Sequence, residues 1–436
     1  MAPLSILIVG CGIGGPTLAS FLLLSSHDSQ QRPRITILER STTHARGQNI
    51  DVRGAGVTVI RKLRLENAIR SATTGEEGTK FVDADNRVWA AIPADKSGRV
   101  QTGTSDIEIL RGRLADLLYR RSKDVSQELE DEGGEGIEYI FGDSLEGLEQ
   151  DSEKVHVRFA KNGERRTFDL VVGADGLQSP TRRLGFGQNG DHERVKQLGM
   201  YGGFFSMPKG STDSDWRRWF HAPGRRGIMV RPSEVNGMST VFMSIINEKD
   251  KRFAEVAVGG HQGVDSQKAL LREYFWDAGW ESRRIIKEME AADDFYYAMV
   301  AQVKMDKWSN GRVVLLGDAG YCASPISGMG TTLAMVGAYN LAGALTRFPS
   351  DHTAAFAEYE EKMRPVVERA QKLAPGAPYV LAPETAWGIW VLHAFCLMIN
   401  YSRIGLLLAM IWGPPANAVP VEDYGFKQLA EWSPQT

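Results

Sequence analysis

The sequence predicts an α/β protein: a Rossmann-type nucleotide-binding domain on a parallel sheet, an inserted substrate domain on an antiparallel β-sheet, and C-terminal helices. Three observations carry this prediction. The apolar run Ser5-Ile6-Leu7-Ile8-Val9 meets Gly10-Cys11-Gly12-Ile13-Gly14-Gly15 and then a helical pattern through Leu24. A second strand pattern, Arg34 to Leu38, ends at Glu39, which completes strand, helix and strand in about 35 residues, the proportions of a βαβ unit. From about Leu198 to Ile246 the texture changes to aromatic and Met-rich β runs.

The glycine loop justifies the first domain. Gly10 permits a tight turn, Gly12 lets a pyrophosphate approach the backbone, and the third glycine lets helix and strand pack closely. Helix N–H groups and the positive dipole end, around Ile13 and Gly14, then hold the phosphates, and Pro16 in the first turn sacrifices no hydrogen bond. Glu39 follows Gly15 by 24 residues, at a strand end where a carboxylate accepts both hydroxyls of an adenosine ribose. The pattern predicts an ADP-containing dinucleotide.

Short strands are expected at Ile137–Phe141, Val155–Phe159 and Arg166–Val172, after an acidic loop at 128–136. The antiparallel sheet is expected from Met200–Met207, Trp216–Phe220, Ile228–Arg231 and Ser239–Ile246, with Asn236-Gly237 as a hairpin turn. Helices are expected at 267–277 and 283–291, then a buried strand at 312–316 that returns to the first domain. The nucleotide domain is thus expected at 1–75, 100–185 and 295–375, the substrate domain at 76–99 and 186–294, and a helical segment at 376–436.

Composition narrows the function. The 436 residues are 42% apolar and 24% charged, which excludes disorder and leaves room for two or three domains. A net charge of −3 gives no electrostatic case for nucleic acid or an anionic membrane. Cys11, Cys322 and Cys396 are far apart without CxxC spacing, so no disulfide framework or metal site is expected, and a cytoplasmic location is. The first 24 residues carry no Lys, Arg, Asp or Glu, yet they lack a basic n-region and are interrupted by glycines. Trp387 to Trp412 matches a bilayer in length, but Asn400-Tyr401-Ser402-Arg403 falls in its middle, where a charge costs about 2.5–3.5 kcal/mol. Gly405 and Gly413-Pro414-Pro415 predict two shorter helices instead, with peripheral membrane contact the less favoured alternative.

Further motifs resemble a known family. Asp169-Leu170-Val171-Val172-Gly173-Ala174-Asp175-Gly176 followed by Ser179-Pro180-Thr181-Arg182 is similar to the Asp-Gly motif of the FAD-dependent aromatic hydroxylases of para-hydroxybenzoate hydroxylase type, the group A flavin monooxygenases. Gly317-Asp318-Ala319-Gly320-Tyr321, with Pro325 and Gly328-Met329-Gly330, resembles that family's Gly-Asp motif. Ile109-Leu110-Arg111-Gly112-Arg113 resembles its flavin-contacting arginine. Gln48-Asn49-Ile50-Asp51-Val52-Arg53-Gly54 resembles the branch of tetracycline-inactivating and polyketide-modifying monooxygenases. The resemblance implies FAD as the dinucleotide, held by the glycine loop, Glu39, Arg40, Asp51, Arg111, Asp175, Asp318, Pro325, Gly328, Met329 and Gly330. A helix over about 331–345 would aim its positive end at the flavin. The chain departs from the family at Tyr321 (usually His), Ser324 (Pro), Met329 (Gln), Thr332 (Asn) and Gly337 (Asp).

The chemistry implied is reduction of FAD by NADPH or NADH, addition of dioxygen as a flavin hydroperoxide, and oxygen transfer to an aromatic or polyketide-like small molecule of secondary metabolism. Without a second glycine fingerprint, the nicotinamide nucleotide is expected to dock transiently, with Arg182 and Arg183 as candidate contacts. A base near a substrate hydroxyl would assist; His221, Arg218 and Tyr321 are the candidates. Phe204, Phe205, Met207, Trp219, Met229, Phe242 and Met243 are candidates for sheet core or pocket wall. A monomer or weak dimer is expected. The alternatives are a redox-neutral or dehydrogenating flavoenzyme on the same scaffold and a membrane-associated epoxidase.

Overall fold

The computed structural model describes residues 3–25, 32–42, 48–94, 106–258, 263–402 and 419–432. One sheet has the strand order Ser309–Asn310, Val313–Leu315, Leu170–Gly173, Ser5–Val9, Arg34–Glu39, Ile137–Phe141. All neighbours pair in parallel except the first two, which are antiparallel. The central strand explains its own apolar run. Ile6 and Ile8 enter a core shared with helices Gly14–Leu24, Gly330–Arg347 and His352–Gln371. Leu7 and Val9 point the other way, onto Val155, Val157 and Phe159. A strand covered on both faces alternates between two cores rather than between core and water.

The second cover is a three-stranded antiparallel sheet, Leu145–Gln150, Val155–Phe159 and Arg165–Phe168. The single strand expected over 166–172 is therefore two, in different sheets, with Asp169 at the corner. Its Oδ2 accepts from the amide and the hydroxyl of Ser5, both at 2.8 Å, and Lys154 donates to Oδ1 at 2.6 Å. The expected loop at 128–136 begins late. Helix Arg111–Asp131 runs into it because Val125 and Leu129 continue the helix's buried face.

The larger sheet has seven strands, ordered Tyr296–Val303, Val195–Pro208, Met238–Ile246, Arg226–Pro232, Arg217–Ala222, Gly78–Val82, Val88–Pro93. Gly237, at φ +77°, makes the hairpin turn between two of them. Residues 296–303, grouped by sequence with the nucleotide domain, hydrogen-bond within this sheet. Helices Arg252–Val258, Val264–Phe275 and Ser282–Ala291 cover one face through Phe205, Met207, Phe220, Ile228, Val241 and Met243. Against the other face, at the Val88–Pro93 end, lies helix Ala386–Ser402, packing Leu392 and Cys396 on Phe81 and Ala90.

That helix continues through Asn400-Tyr401-Ser402. The second helix expected near Gly405, and the Gly413-Pro414-Pro415 stop, lie outside the described residues. Among the described residues no helix is long and apolar enough to cross a membrane.

Candidate active site

The glycine loop is shaped by what surrounds each glycine. A Cβ on Gly10, at φ +113°, would lie 2.4 Å from the Ala174 carbonyl oxygen, and one on Gly15 would lie 2.0 Å from that of Gly10. A Cβ on Gly12 would meet nothing within 4 Å. Two glycines are thus required for packing, while the third leaves open space in front of a helix N-terminus. Helix Gly14–Leu24 has neither a side-chain cap nor an acid in its first turn, so its N–H groups are available to an anion. Glu39 faces the same loop, accepting from the amides of Cys11 at 2.9 Å and Ser41 at 2.8 Å. Arg40 beside it is exposed.

Asp318 begins the helical turn Asp318–Tyr321 just beyond strand Val313–Leu315. Its side chain is open to solvent, yet protein surrounds it closely enough that desolvation raises its carboxyl pKa, opposed by the Cys322 thiol and Arg111. Those two properties together describe the floor of an open cleft. Gly330 adjoins it: a Cβ there would lie 3.7 Å from Asp318 Oδ1. Helix Gly330–Arg347 begins there, also without a side-chain cap or first-turn acid. Pro325, Gly328 and Met329 form the loop before it, exposed or half-buried. Two uncapped helix ends, an open glycine and a cleft carboxylate fit a long dinucleotide with a pyrophosphate, a polyhydroxylated linker and an electron-accepting ring.

Asp51 and Arg53 border the same loop. Arg53 Cζ lies 4.0 Å from where a Gly328 Cβ would be, its guanidinium is 2.5 Å from Asp51 Oδ2, and Thr332 Oγ1 bonds both its backbone groups, at 3.0 and 3.2 Å. Asp175 is used differently. Its carboxylate accepts from the Ser179 hydroxyl and from the amide (2.9 Å) and hydroxyl (2.7 Å) of Thr181, organising the turn before helix Pro180–Phe186. Arg182 in that helix is fully buried, paired with Asp191 at 2.7 Å and donating to the carbonyls of Leu177 and Ala319, both at 2.9 Å. It ties the Asp-Gly turn to the Gly-Asp loop and is not placed to meet a docking nicotinamide nucleotide.

The seven-stranded sheet meets the strand that carries Asp51 at Asn49, which donates to the Pro232 carbonyl and accepts from Thr240, and strand alternation sorts the sheet's aromatic residues. Phe205, Met207 and Met243 enter the helix-covered core. Phe204, Phe242, Met229 and Trp219 point the other way and are half-buried. Register aligns these four with Tyr296 and Phe81 in one row across six strands. Phe204 and Phe242 stack at 4.1 Å, and Phe81 and Trp219 at 5.6 Å. Beside this row, on the same face, Thr240, Arg231 and Arg217 form a polar row that meets Asn49 and Glu108 of the nucleotide domain and Glu76 just before strand Gly78–Val82.

The candidate bases lie elsewhere. Tyr321 is fully buried against Trp308 and receives a hydrogen bond from the Tyr359 hydroxyl at 2.8 Å. Its hydroxyl would be 2.1 Å from a Cβ on Gly337, so the two departures from the family pattern occupy one space. Arg218 faces the helix-covered side, paired with Asp213 and Glu281. His221 is on the pocket side but buried beside His393 on the C-terminal helix, at 3.4 Å. Burial, reinforced by His393, lowers its pKa to about 3, leaving a neutral ring at ordinary pH. Sequence reasoning missed Arg217, Arg231, Glu76 and Glu108. The signal was there in Ile107-Glu108-Ile109, a charge inside a buried strand pattern, and in Arg217-Arg218, adjacent strand residues that must face opposite ways.

A family model described as an FAD-binding domain matches residues 4–374. The chain belongs to this FAD-binding family. The FAD-dependent monooxygenase asL6 of Sarocladium schorii is 34% identical over 96% of this chain and 97% of that protein. Monooxygenase CTB7 of Cercospora beticola is 32% identical over 97% and 98%. The crystal structure of tetracycline destructase Tet(55) aligns with a TM-score of 0.74 at 29% identity, over 97% of this chain and 100% of that one. The protein is therefore an FAD-dependent monooxygenase of the group A type.

Proposed function

We propose that this monooxygenase oxygenates a planar aromatic or polyketide-like molecule of secondary metabolism, consuming dioxygen and NADPH or NADH. The observation that carries this reading is the aromatic row on the cleft side of the large sheet. Phe204, Phe242, Met229 and Trp219 offer a half-buried shelf, running from exposed Tyr296 to buried Phe81, with the shape and softness to stack a fused-ring system. The tetracycline destructases are named for a fused-ring polyketide, which supports the same class.

FAD, when bound, supplies the redox and oxygen chemistry. In the proposal the loop from Gly10 to Gly15 and the N-terminus of Gly14–Leu24 hold its pyrophosphate, Glu39 its ribose, and Asp318 its linker hydroxyls. Arg111 balances Asp318. The N-terminal turn of Gly330–Arg347 faces the ring, where its dipole favours negative charge. The shelf orients the substrate, and helix Ala386–Ser402 closes its far end against water through Leu392, His393 and Cys396.

The enzyme is proposed to work in the cytoplasm as a monomer or weak dimer. The exposed Trp387, Trp390, Phe395 and Met398 form the face on which vesicle binding would contradict that location. The test of the substrate class is binding of fused-ring phenols to the FAD-loaded enzyme, read by flavin absorbance. Trp219→Ala and Phe242→Ala should each weaken binding on the order of tenfold, from lost stacking and burial. Unchanged affinity in both would refute the shelf.

A further inference from the structure

The polar row beside the shelf is an ion cluster with an unusual composition. Glu76 bridges Arg217 and Arg231, each at 2.8 Å. Arg231 also reaches Glu108 Oε1 at 2.7 Å, where Asn49 donates at 2.6 Å. Asp51 carries the cluster to Arg53 and hence to the Gly328 loop. Three guanidiniums therefore meet three carboxyls, and their depth differs. The side chains of Arg53, Arg217 and Arg231 are 10%, 10% and 13% exposed, against 0% for Glu76 and 3% for Glu108. The three arginines lie at the front together with Asp51, which is 16% exposed and paired to Arg53, and Glu76 and Glu108 lie behind.

Glu108 is the weak member. Its Oε2 is buried with no hydrogen-bond partner among the described residues, an expensive state for a carboxylate and a cheaper one for a neutral acid. Electrostatics agree. Burial pushes its pKa up to about 7, with Glu76 and Asp51 adding to the rise and Arg231 and Arg217 opposing it. Among the described residues these four act on it most strongly, and the neutral Asn49 donates to it. When Glu108 is ionised the cluster is balanced; when it takes a proton from solvent, one positive charge is left over at the arginine front.

We propose that the front formed by Arg53, Arg217 and Arg231 receives an ionised oxygen on the edge of the substrate, and that Glu108 sets the strength of that site by gaining or losing one proton. Glu108 is thus a positioning residue that acts through the arginines. The preferred substrate is a fused aromatic with an acidic edge group, such as a carboxylate, enolate or acidic phenol. This rests on the aromatic shelf as the substrate surface.

The test uses FAD-loaded enzyme and two probes, 2-naphthoate and its methyl ester, whose charge does not change between pH 6 and pH 8.5. Dissociation constants come from perturbation of the flavin spectrum. Naphthoate should bind tighter than the ester at pH 6 and lose on the order of tenfold by pH 8.5, the effect of one nearby charge at partly screened dielectric. The ester should be indifferent to pH. In Glu108→Gln, naphthoate should bind at pH 8.5 as the wild type binds it at pH 6. Naphthoate no tighter than ester at pH 6, or a pH dependence that persists in Glu108→Gln, would overturn the proposal. The wild-type comparison alone decides the matter if the variant fails to retain FAD. Ester binding that Trp219→Ala weakens would leave the shelf standing even when the charge site fails, whereas an ester that does not bind would remove the shelf and this site together.

Discussion

Gly337→Ala isolates the coupling between two departures from the family pattern. The new methyl would lie 2.1 Å from the Tyr321 hydroxyl and 3.1 Å from Leu316 Cδ1. Neither neighbour has room to yield, because Tyr321 is held by Trp308 and Tyr359 in a closed core. Overpacking of this kind costs about 1–3 kcal/mol, and the 2.1 Å contact lies at the severe end. Alanine in a helix interior recovers about 1 kcal/mol relative to glycine, leaving a net loss of roughly 2 kcal/mol. Tyr321→Phe removes the clashing oxygen, so the nearest atoms to the methyl would be Leu316 Cδ1 at 3.1 Å and Cζ at 3.3 Å, contacts that small shifts relieve, and by itself it costs about 1 kcal/mol for the lost hydrogen bond. In the Tyr321→Phe background, Gly337→Ala should therefore be neutral or stabilising. Urea denaturation of the four proteins in a double-mutant cycle should give a coupling of about 2 kcal/mol, with the double variant more stable than Gly337→Ala alone. Costs that simply add would refute the shared-space account.

Other outcomes follow from the site. Gly12→Ala should fold normally and lose FAD affinity, whereas Gly15→Ala should be destabilised by several kcal/mol, at the upper end of overpacking costs, because its methyl has only 2.0 Å to the Gly10 oxygen; thermal melts with and without FAD separate the two. Asp318→Ala should keep the fold and weaken FAD binding by about 10–100-fold, the loss of charge-assisted hydrogen bonds, read by equilibrium dialysis. Glu108 has a folded pKa near 7, above its ordinary 4.5, so the native state holds this proton more tightly than the unfolded chain and loses stability as pH rises between those values. Glu108→Gln should thus match the wild type near pH 4 and exceed it by on the order of 3 kcal/mol or less above pH 7. His221 runs the other way. Its lowered pKa makes stability fall as pH drops below about 6.5, and His221→Phe should flatten that acid-side slope in a pH series of melts.

Much of the fold was legible because local and global signals coincide in it. Residues 5–39 carry strand period, glycine loop and acidic strand end in one short stretch. The Asn236-Gly237 turn fixes a hairpin by backbone chemistry alone. What was hidden depended on partners distant in the chain. The break at Asp169 appears only when Ser5 and Lys154 are brought beside it. The division of the aromatic residues into core and shelf needed the register between strands, since a run such as Phe204-Phe205 shows alternation but not which side faces the cleft. Arg218 and Tyr321 were attractive by residue type and were removed from the cleft by the same alternation and burial. Ile107-Glu108-Ile109 and Arg217-Arg218 mark two members of the ion cluster locally, but Arg217, Arg231, Glu76 and Glu108 come from four separate segments, and only tertiary pairing brings them together.

Anaerobic reduction of the purified protein tests the central claim most directly. The protein should be yellow, and its flavin should bleach on addition of NADPH or NADH, faster when a fused-ring acidic aromatic occupies the shelf. A colourless protein that cannot be reconstituted with FAD, or a flavin whose reduction ignores every aromatic of that class, would contradict it.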